Sequence, residues 1–365
     1  MEYIFVLLLT IFFSFGNKSM SSPFRKACYA FICILVILIL GLRYRVGLDT
    51  INYMNMFDRA TTLEFLKFSE IFEMRTEPLY TICSSFFKGI SKEFWPFQLF
   101  MATITTSGIA IFLYRYCRNP FVGLLLYFII CCLYFTTEII RESAAISIFL
   151  LNFENLAKRR WTRYYLFSLL SIGFHYSAVI IWLFPLAKYL KLNIWFIGIC
   201  CGILFITPLF DYINRVLVFA SINNRIDAYL DGNDLNLNWR ISQVIQNGLP
   251  CICALFFSRK SSLTKSVLRP FVLLQIVFVV AAFAIPIIFR RFINYTQIFN
   301  IAFLANVITN KDLRLTTRNV FLCIILLSQT LGWKGMYERW FPYVSVINPK
   351  NIQEREYLWR EQFMH

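Results

Sequence analysis

The sequence predicts an all-α integral membrane protein that crosses the bilayer many times. Of its 365 residues, 58% are hydrophobic, 18% are aromatic and only 15% are charged, whereas about a quarter of the residues in a soluble domain are charged. The mean hydropathy is +0.61. Apolar runs recur along the chain at roughly the length of a helix that crosses a hydrocarbon core of about 30 Å. These observations exclude a disordered chain, a coiled coil and a disulfide-rich secreted module.

The candidate spans are apolar segments separated by charged or turn-forming residues. The first segment lacks the basic n-region and the small-residue cleavage site of a signal peptide, so we interpret it as a retained helix whose N-terminus is outside. In chain order the segments cover residues 3–16, 27–42, 97–114, 121–137, 142–157, 164–187, 193–210, 241–257, 270–289, 292–309 and 319–333.

Basic residues predict the orientation, because Lys and Arg are enriched in cytoplasmic loops. Asp312 is the single acid in the six loops that carry this signal, and the net charge of +16 therefore indicates orientation and does not require nucleic acid as a partner. The loops contain Lys18, Arg25 and Lys26; Arg115 and Arg118; Lys158, Arg159, Arg160 and Arg163; Lys188 and Lys191; Arg259, Lys260, Lys265 and Arg269; and Lys311, Arg314 and Arg318.

All six basic loops lie on the cytoplasmic side of a topology with alternating membrane crossings if two conditions hold. Segment 79–90 must be a short interfacial helix that does not cross fully, since it has only 12 residues. Segment 164–187 must enter and return to the same side, as a broken pair of crossings or a re-entrant hairpin around His175; one continuous helix is the alternative. The prediction is then a single transmembrane domain, 1–365, with about 12 spans (10–12). Loops 43–96 and 211–240 and the extramembrane tail 334–365 lie outside.

Arg43 and Arg45 form the first polar group at the outer boundary, beside Asp49. Guanidinium groups donate bidentate hydrogen bonds to anions, Asp49 is a candidate base, and Gly47 permits a turn beside them. A pair of arginines at a helix end with Asp49 as counter-ion is the structural alternative.

The second group is Glu138, Arg141 and Glu142, where one helix ends and the next begins. An arginine at the head of a membrane helix needs a polar cavity or a partner. Arg141 is thus a candidate anion ligand, or it pairs with Glu138 or Glu142.

The third group is the helix break at His175, the only histidine apart from His365. Histidine exchanges protons near neutral pH, and irregular backbone at membrane depth lines cavities. His175 is a candidate base, with a structural histidine as the alternative. The fourth group is Arg290 and Arg291, predicted in a short outer turn, where they contact an anionic ligand or outer-leaflet lipid.

No metal site or cofactor is predicted. The cysteines lie mostly in apolar runs, where they act as small hydrophobic residues, and two histidines are too few for a zinc site. The four polar groups come from distant parts of the sequence but share one depth on one side. Their convergence predicts transfer chemistry on a lipid-linked pyrophosphate.

The motifs resemble those of the EpsG-type branch of the Wzy polysaccharide polymerases. The resemblance covers residues from about 40 to 300 and depends on short motifs that are specific as a set. They are Leu42-Arg-Tyr-Arg-Val-Gly-Leu-Asp-Thr-x-x-Tyr53, Glu77-Pro-Leu-Tyr80, Ile140-Arg141 followed by Ser-Ala-Ala, Gly173-Phe-His-Tyr-Ser-Ala178, and Arg291-x-x-x-Tyr295. Glu142 departs from the glutamine expected there.

The resemblance implies an O-antigen or capsule polymerase of the bacterial inner membrane, working on the periplasmic face without a metal. Such an enzyme moves a growing glycan from undecaprenyl pyrophosphate to the non-reducing end of a lipid-linked repeat unit. Its partners are that oligosaccharide carrier and membrane lipid, and a chain-length regulator protein is a further candidate partner. On this hypothesis Arg43, Arg45, Arg141, Arg290 and Arg291 bind pyrophosphate, His175 or Asp49 is the base, and Tyr53, Glu138, Glu142 and Tyr295 support them.

Two other classes stay open: a flippase or transporter for the lipid-linked unit, and a ligase-type glycosyltransferase. Absence of internal repeats and the location of polar motifs on one face argue against the flippase.

Overall fold

The computed structural model describes residues 2–68, 71, 76–203, 237–259, 261–283, 285–333, 340–348 and 352–353. Within these ranges the structure is helical, and its extended pairing is limited to an isolated bridge between Arg43 and Ser345. The predicted all-α class is confirmed. The external loop predicted at 211–240 and the tail at 334–365 lie mostly outside the described residues.

The chain divides into two compact units. The first comprises Met1–Ile181 and Gly335–His365. Its helices are α1 (Glu2–Gly16), α2 (Ser22–Gly41), α3 (Thr50–Asp58), α4 (Pro78–Ile90), α5 (Trp95–Tyr116), α6 (Pro120–Thr137), α7 (Ile140–Ala157) and α8 (Trp161–Phe174). A 3₁₀ helix, Tyr176–Tyr189, begins in this unit and continues into the second at Trp182.

Helices α2, α5 and α6 are long and apolar enough to cross a membrane. Each has 18 to 22 residues, which corresponds to about 27–33 Å. Five shorter apolar helices lie elsewhere in the described chain, among them α1 and the 3₁₀ helix. The structure thus supports a polytopic membrane protein, and the count of about 12 spans stays a prediction, as does the single domain.

The helices of the first unit begin and terminate at two opposite sides of that unit, which we call the polar end and the basic end. At the polar end, Arg43 just after α2 contacts Thr136 of α6, and Gln98 near the start of α5 donates to the carbonyls of Gly41 and Arg43. At the basic end, Asn119 before α6 donates to Ser14 of α1. Helices α5 and α7 end there together, because Arg115 of α5 lies 3.7 Å from Glu154 of α7.

Helix α4 is too short to cross the membrane. Its 13 residues span about 20 Å, against a hydrocarbon core of about 30 Å. Both of its ends lie near the polar end, because Glu77 precedes its first turn and Phe87 in its last turn packs on Phe97 and Phe100 of α5. The predicted short helix at 79–90 is confirmed.

The chain reverses direction at His175. Helix α8 ends at Phe174, His175 is extended (φ −159°, ψ 125°), and the 3₁₀ helix begins at Tyr176. The hydroxyl of Tyr164 in α8 donates to the carbonyl of Ile181, so the returning segment runs back beside α8. The predicted break is confirmed and the continuous helix is wrong. Two membrane crossings and a re-entrant hairpin are the alternatives for this segment, and both stay predictions.

The second unit comprises Trp182–Lys334. It contains α9 (Ile194–Ile203), α10 (Leu237–Gln243), α11 (Leu249–Phe257), α12 (Arg269–Ala281), α13 (Pro286–Ile308) and α14 (Leu315–Trp333). A π-helical turn, Val244–Gly248, joins α10 to α11. Between α12 and α13, buried Gln275 donates to the side chain of Gln297 and accepts from the hydroxyl of Thr296, which satisfies polar groups inside an apolar bundle.

One predicted connection in the second unit is wrong. We expected Arg290 and Arg291 in a turn between spans 270–289 and 292–309, but both lie inside α13, which begins at Pro286. Proline has a fixed φ suited to the first turn of a helix. The chain therefore leaves α12 at Ala281 and begins α13 at Pro286, before the arginines.

Candidate functional site

The loop that follows α2 is tightly folded on the end of α6. Arg45 (φ 47°) and Gly47 (φ 101°) both have left-handed backbone conformations, which glycine adopts without steric cost. A Cβ atom on Gly47 would lie 2.4 Å from the Cβ of Thr137. The predicted turn at Gly47 is confirmed, and it depends on glycine at that position.

Arg43 holds this loop from within. Its side chain is buried, and its guanidinium donates to the backbone carbonyls of Leu40, Val46 (3.3 Å) and Thr136 (2.7 Å). These bonds engage Nε, Nη1 and Nη2, so the geometry favours a structural role over the pyrophosphate contact expected from the sequence. Helix ends and turns leave backbone carbonyls without backbone donors, and buried acceptors need donors. The guanidinium of Arg43 supplies them here.

Glu138 holds the other half of the loop. Its carboxylate accepts hydrogen bonds from the backbone N–H groups of Leu48 (3.0 Å) and Asp49 (3.2 Å). Tyr53 on α3 donates its hydroxyl to the Glu138 carbonyl at 3.2 Å. Glu138 and Tyr53 therefore position the loop, as supporting residues would.

Asp49 lies at the start of α3, where its Oδ1 accepts a bond of 3.3 Å from Asn52. It belongs to the loop that Glu138 anchors. Asp49 occupies the N-cap position of α3 without a side-chain bond to a backbone N–H of that helix, and its role as a base stays a prediction.

A cluster of four ionisable side chains lies beside this loop, and we call it the Glu77 cluster: Glu77, Arg141, Glu142 and His175. Glu77 forms an ion pair with Arg141 and lies 2.6 Å from Nδ1 of His175. Nε2 of His175 lies 3.8 Å from a carboxylate oxygen of Glu142. Glu77 thus joins the start of α4, the start of α7 and the break after α8.

The carboxylates of the Glu77 cluster are 5% exposed, His175 is 11% exposed and Arg141 is 22% exposed. Burial raises the pKa of Glu77, but the hydrogen bond from His175 and the charge of Arg141 outweigh burial and hold the pKa of that carboxyl below its usual value. Glu77 is therefore ionised and only accepts hydrogen bonds. Nδ1 of His175 is therefore the donor in this hydrogen bond, and in a neutral imidazole the lone pair is then on Nε2.

The backbone explains why His175 reaches Glu77. Gly173, in the last turn of α8, lies so close to Leu79 that an added Cβ would be 2.7 Å from the Leu79 side chain. This contact brings the end of α8 against the first turn of α4, directly after Glu77. The guanidinium of Arg141 also lies over the ring of Tyr80, 5.5 Å from its centroid, which adds a cation–π interaction.

The structure brings three of the four predicted polar groups into one region of the first unit. The loop of Arg43, Arg45 and Asp49 contacts the segment of Glu138, and Arg141 and Glu142 share the Glu77 cluster with His175. The fourth group, Arg290 and Arg291 with Tyr295, lies on α13 of the second unit, and its predicted pyrophosphate role stays a prediction.

Glu77 is the residue whose role the sequence did not predict. It was part of a recognised motif but had no assigned function, and Arg141 was expected to pair with Glu138 or Glu142. A glutamate directly before a helix-starting proline, at the edge of a membrane segment, was the available signal. Among the described residues, no group of three or more His, Cys, Asp or Glu side chains is arranged to hold a metal ion.

Comparison with known proteins gives one match. The model of the EpsG family matches residues 26–345, which includes the loop after α2 and the whole Glu77 cluster. No curated protein and no solved structure matches the chain.

Proposed function

Because the chain belongs to the EpsG family, we propose that it is a polysaccharide polymerase, a membrane glycosyltransferase. It moves a growing O-antigen or capsular glycan from undecaprenyl pyrophosphate to the non-reducing end of a lipid-linked repeat unit. The observation that carries this proposal is the Glu77 cluster, in which a buried carboxylate orients a histidine and an arginine at the polar end of the bundle.

The orientation of the bundle supports a periplasmic reaction. Three basic loops, 17–26, 115–119 and 158–163, connect helices at the basic end, and the Glu77 cluster is at the other. Loops rich in Lys and Arg stay in the cytoplasm, which directs the polar end to the outer face of the bacterial inner membrane. Lipid-linked repeat units are joined there, and no nucleotide sugar is needed because the pyrophosphate bond is already activated.

His175 acts as the base in this proposal. An acceptor hydroxyl gives its proton to Nε2 of His175 while its oxygen forms a bond to the anomeric carbon of the donor glycan. The bond between that carbon and the pyrophosphate oxygen breaks, and the bonding pair leaves with the pyrophosphate. Counting Glu77, Glu142, Arg141 and His175, the formal charge of the cluster changes from −1 to zero when a neutral His175 takes up the proton.

Arg141 stabilises the leaving group in this proposal. The ion pair with Glu77 is made through Nη1, and a guanidinium has five N–H donors. Because Nε of Arg141 is buried, a donor on an Nη nitrogen meets the charge that grows on pyrophosphate as the bond breaks. Glu77 then has two tasks: it fixes the tautomer of His175 and the direction of Arg141.

The test is polymer formation in a deletion strain that carries the variants. We expect H175A and E77Q to abolish long chains and leave a single repeat unit on the lipid core, a loss of at least about 100-fold for removal of a base. H365A, which removes the other histidine, is the matched control and should give normal polymer. Immunoblots of membranes check that each variant is inserted.

The gel pattern also separates the alternatives. A ligase defect would leave unmodified core with carrier-bound chains, and a flippase defect would leave neither polymer nor single unit. Long chains of normal length from H175A would refute the catalytic role of His175.

A further inference from the structure

A cavity of about 510 Å³ lies next to the loop after α2, within the first unit. Its walls are the loop at 42–45, Met54 of α3, the segment that starts α5 at 93–98, and Val346, Ile347 and Ile352 near the C-terminus. Its volume is in the range of small-molecule sites, about 300–1,000 Å³. The Glu77 cluster does not line it.

The walls of this cavity are held by hydrogen bonds. Gln98 donates from Nε2 to the carbonyls of Gly41 and Arg43, both at 2.8 Å. The loop and the C-terminal segment are joined by two backbone bonds of 2.8 Å, from Tyr44 to Val344 and from Val346 to Leu42. A site whose walls are fixed before binding loses little entropy when a ligand enters.

The chemistry of the lining selects a class of ligand. Trp95 is 39% exposed and offers an aromatic face, on which the apolar C–H face of a sugar ring can pack. Glu93 supplies a carboxylate that accepts from hydroxyl groups, and Arg45 supplies a guanidinium that donates to them.

We propose that this cavity is a sugar-binding subsite that holds an uncharged sugar residue of the lipid-linked repeat unit through Trp95, Glu93 and Arg45. The identification of the sugar with the repeat unit rests on the proposed polymerase function. Residues 42–45 form one wall of the cavity, and the same loop is bonded through Leu48 and Asp49 to Glu138, which lies just before the start of α7. Binding here would hold a sugar unit apart from the reacting bond and add selectivity for the repeat unit.

Binding is measured on the full-length protein in lipid nanodiscs. The probe is the repeat-unit oligosaccharide of the host, released from its carrier by mild acid, and its affinity is determined by calorimetry or saturation-transfer NMR. We expect W95A to weaken binding about tenfold and E93Q to weaken it several-fold, as expected for one stacked ring or one charged hydrogen bond. W95F should retain most of the affinity, which keeps the test informative if W95A does not fold.

The control is W182A, because Trp182 is 41% exposed, close to the exposure of Trp95, but lies in the second unit; it should bind as the wild type does. H175A should also bind the oligosaccharide normally while it makes no polymer. Loss of polymer with normal binding in H175A, together with weak binding in W95A, supports both proposals.

Failures of the two proposals give different results. If H175A makes normal polymer but W95A still binds weakly, the mechanism fails and the subsite stands. The subsite is refuted if the wild type does not bind the oligosaccharide, or if W95A and E93Q bind it as tightly as the wild type. Displacement of the oligosaccharide by undecaprenyl phosphate, which carries no sugar, would identify the cavity as a lipid site and also refute the proposal.

Discussion

At the scale of single residues, Gly47 is the position that tolerates least change. Its φ of 101° costs a residue with a side chain about 1–3 kcal/mol, and an added Cβ would lie 2.4 Å from Thr137 Cβ and 2.8 Å from its hydroxyl oxygen. We therefore expect G47A to lower the free energy of unfolding by about 2 kcal/mol or more. Thermal unfolding in detergent measures the loss of stability, and polymer yield in cells measures its effect on activity.

Gly89 provides the matched control. It lies in α4, and an added Cβ there would meet no atom within 4 Å. G89A should be neutral or slightly stabilising, because alanine has a higher helix propensity than glycine. A G47A protein with the melting temperature of the wild type would contradict the assignment of strain to this loop.

The residue scale also shows what the sequence can and cannot predict about the site. Gly47 was identifiable because glycine next to polar residues indicates a turn. The partner of Arg141 was not identifiable from the sequence. Local spacing favours Glu138 or Glu142, whereas Glu77 is 64 positions upstream. An ion pair across such a distance depends on which helix ends pack together, and one sequence does not contain that information.

At the scale of elements, the C-terminal segment at 340–348 works as a brace for the polar end. Trp340 donates from Nε1 to the hydroxyl of Thr137 at 3.1 Å, and the Tyr343 hydroxyl donates to the carbonyl of Ile39 at 2.9 Å. Tyr3 of α1 packs edge-on against Phe341 and Tyr343. The segment therefore ties together the start of α1 and the ends of α2 and α6, where the candidate site begins.

Changing Trp340 to Phe tests this brace. The variant keeps an aromatic ring but removes the donor to buried Thr137, which should cost about 1 kcal/mol. We expect a melting temperature lower by a few degrees and faster amide hydrogen exchange in residues 42–48 and 136–138. W195F is the control, since Trp195 is 78% exposed and lies in the second unit. Equal exchange in W340F and W195F would show that the segment does not brace the loop.

The elements themselves were largely predictable because a membrane imposes length and hydropathy on them. Segment 79–90 was identified as a short helix from its length, and the break at 173–177 from the Gly-Phe-His-Tyr-Ser sequence. The start of α13 was not predicted correctly. Hydropathy places helix boundaries at charged residues such as Arg290, whereas the helix already begins at Pro286. The 3₁₀ form of Tyr176–Tyr189 has no sequence signal that we can identify.

At the scale of the whole molecule, the excess of basic residues and the location of the site have one explanation. In the first unit the basic loops connect helices at one end, and the Glu77 cluster lies at the other. If the basic end is cytoplasmic, the cluster faces the periplasm, where the reaction proposed above would take place. The net charge of +16 then reflects insertion, and the proposed chemistry uses Arg141 at the opposite end.

Reporter fusions test this orientation directly. Alkaline phosphatase is active only in the periplasm, and green fluorescent protein exported in unfolded form fluoresces only in the cytoplasm. We expect phosphatase activity for fusions after Lys92, and fluorescence for fusions after Arg118 and Arg160, because the last two positions are at the basic end. A fusion after Leu190 should also fluoresce, since the chain turns back at His175.

The fusions after Lys92 and Arg118 control for each other, as a single span, α5, separates them. Phosphatase activity after Arg160 would place the basic end outside and the Glu77 cluster in the cytoplasm, and the periplasmic polymerase would then be untenable even if H175A makes no polymer.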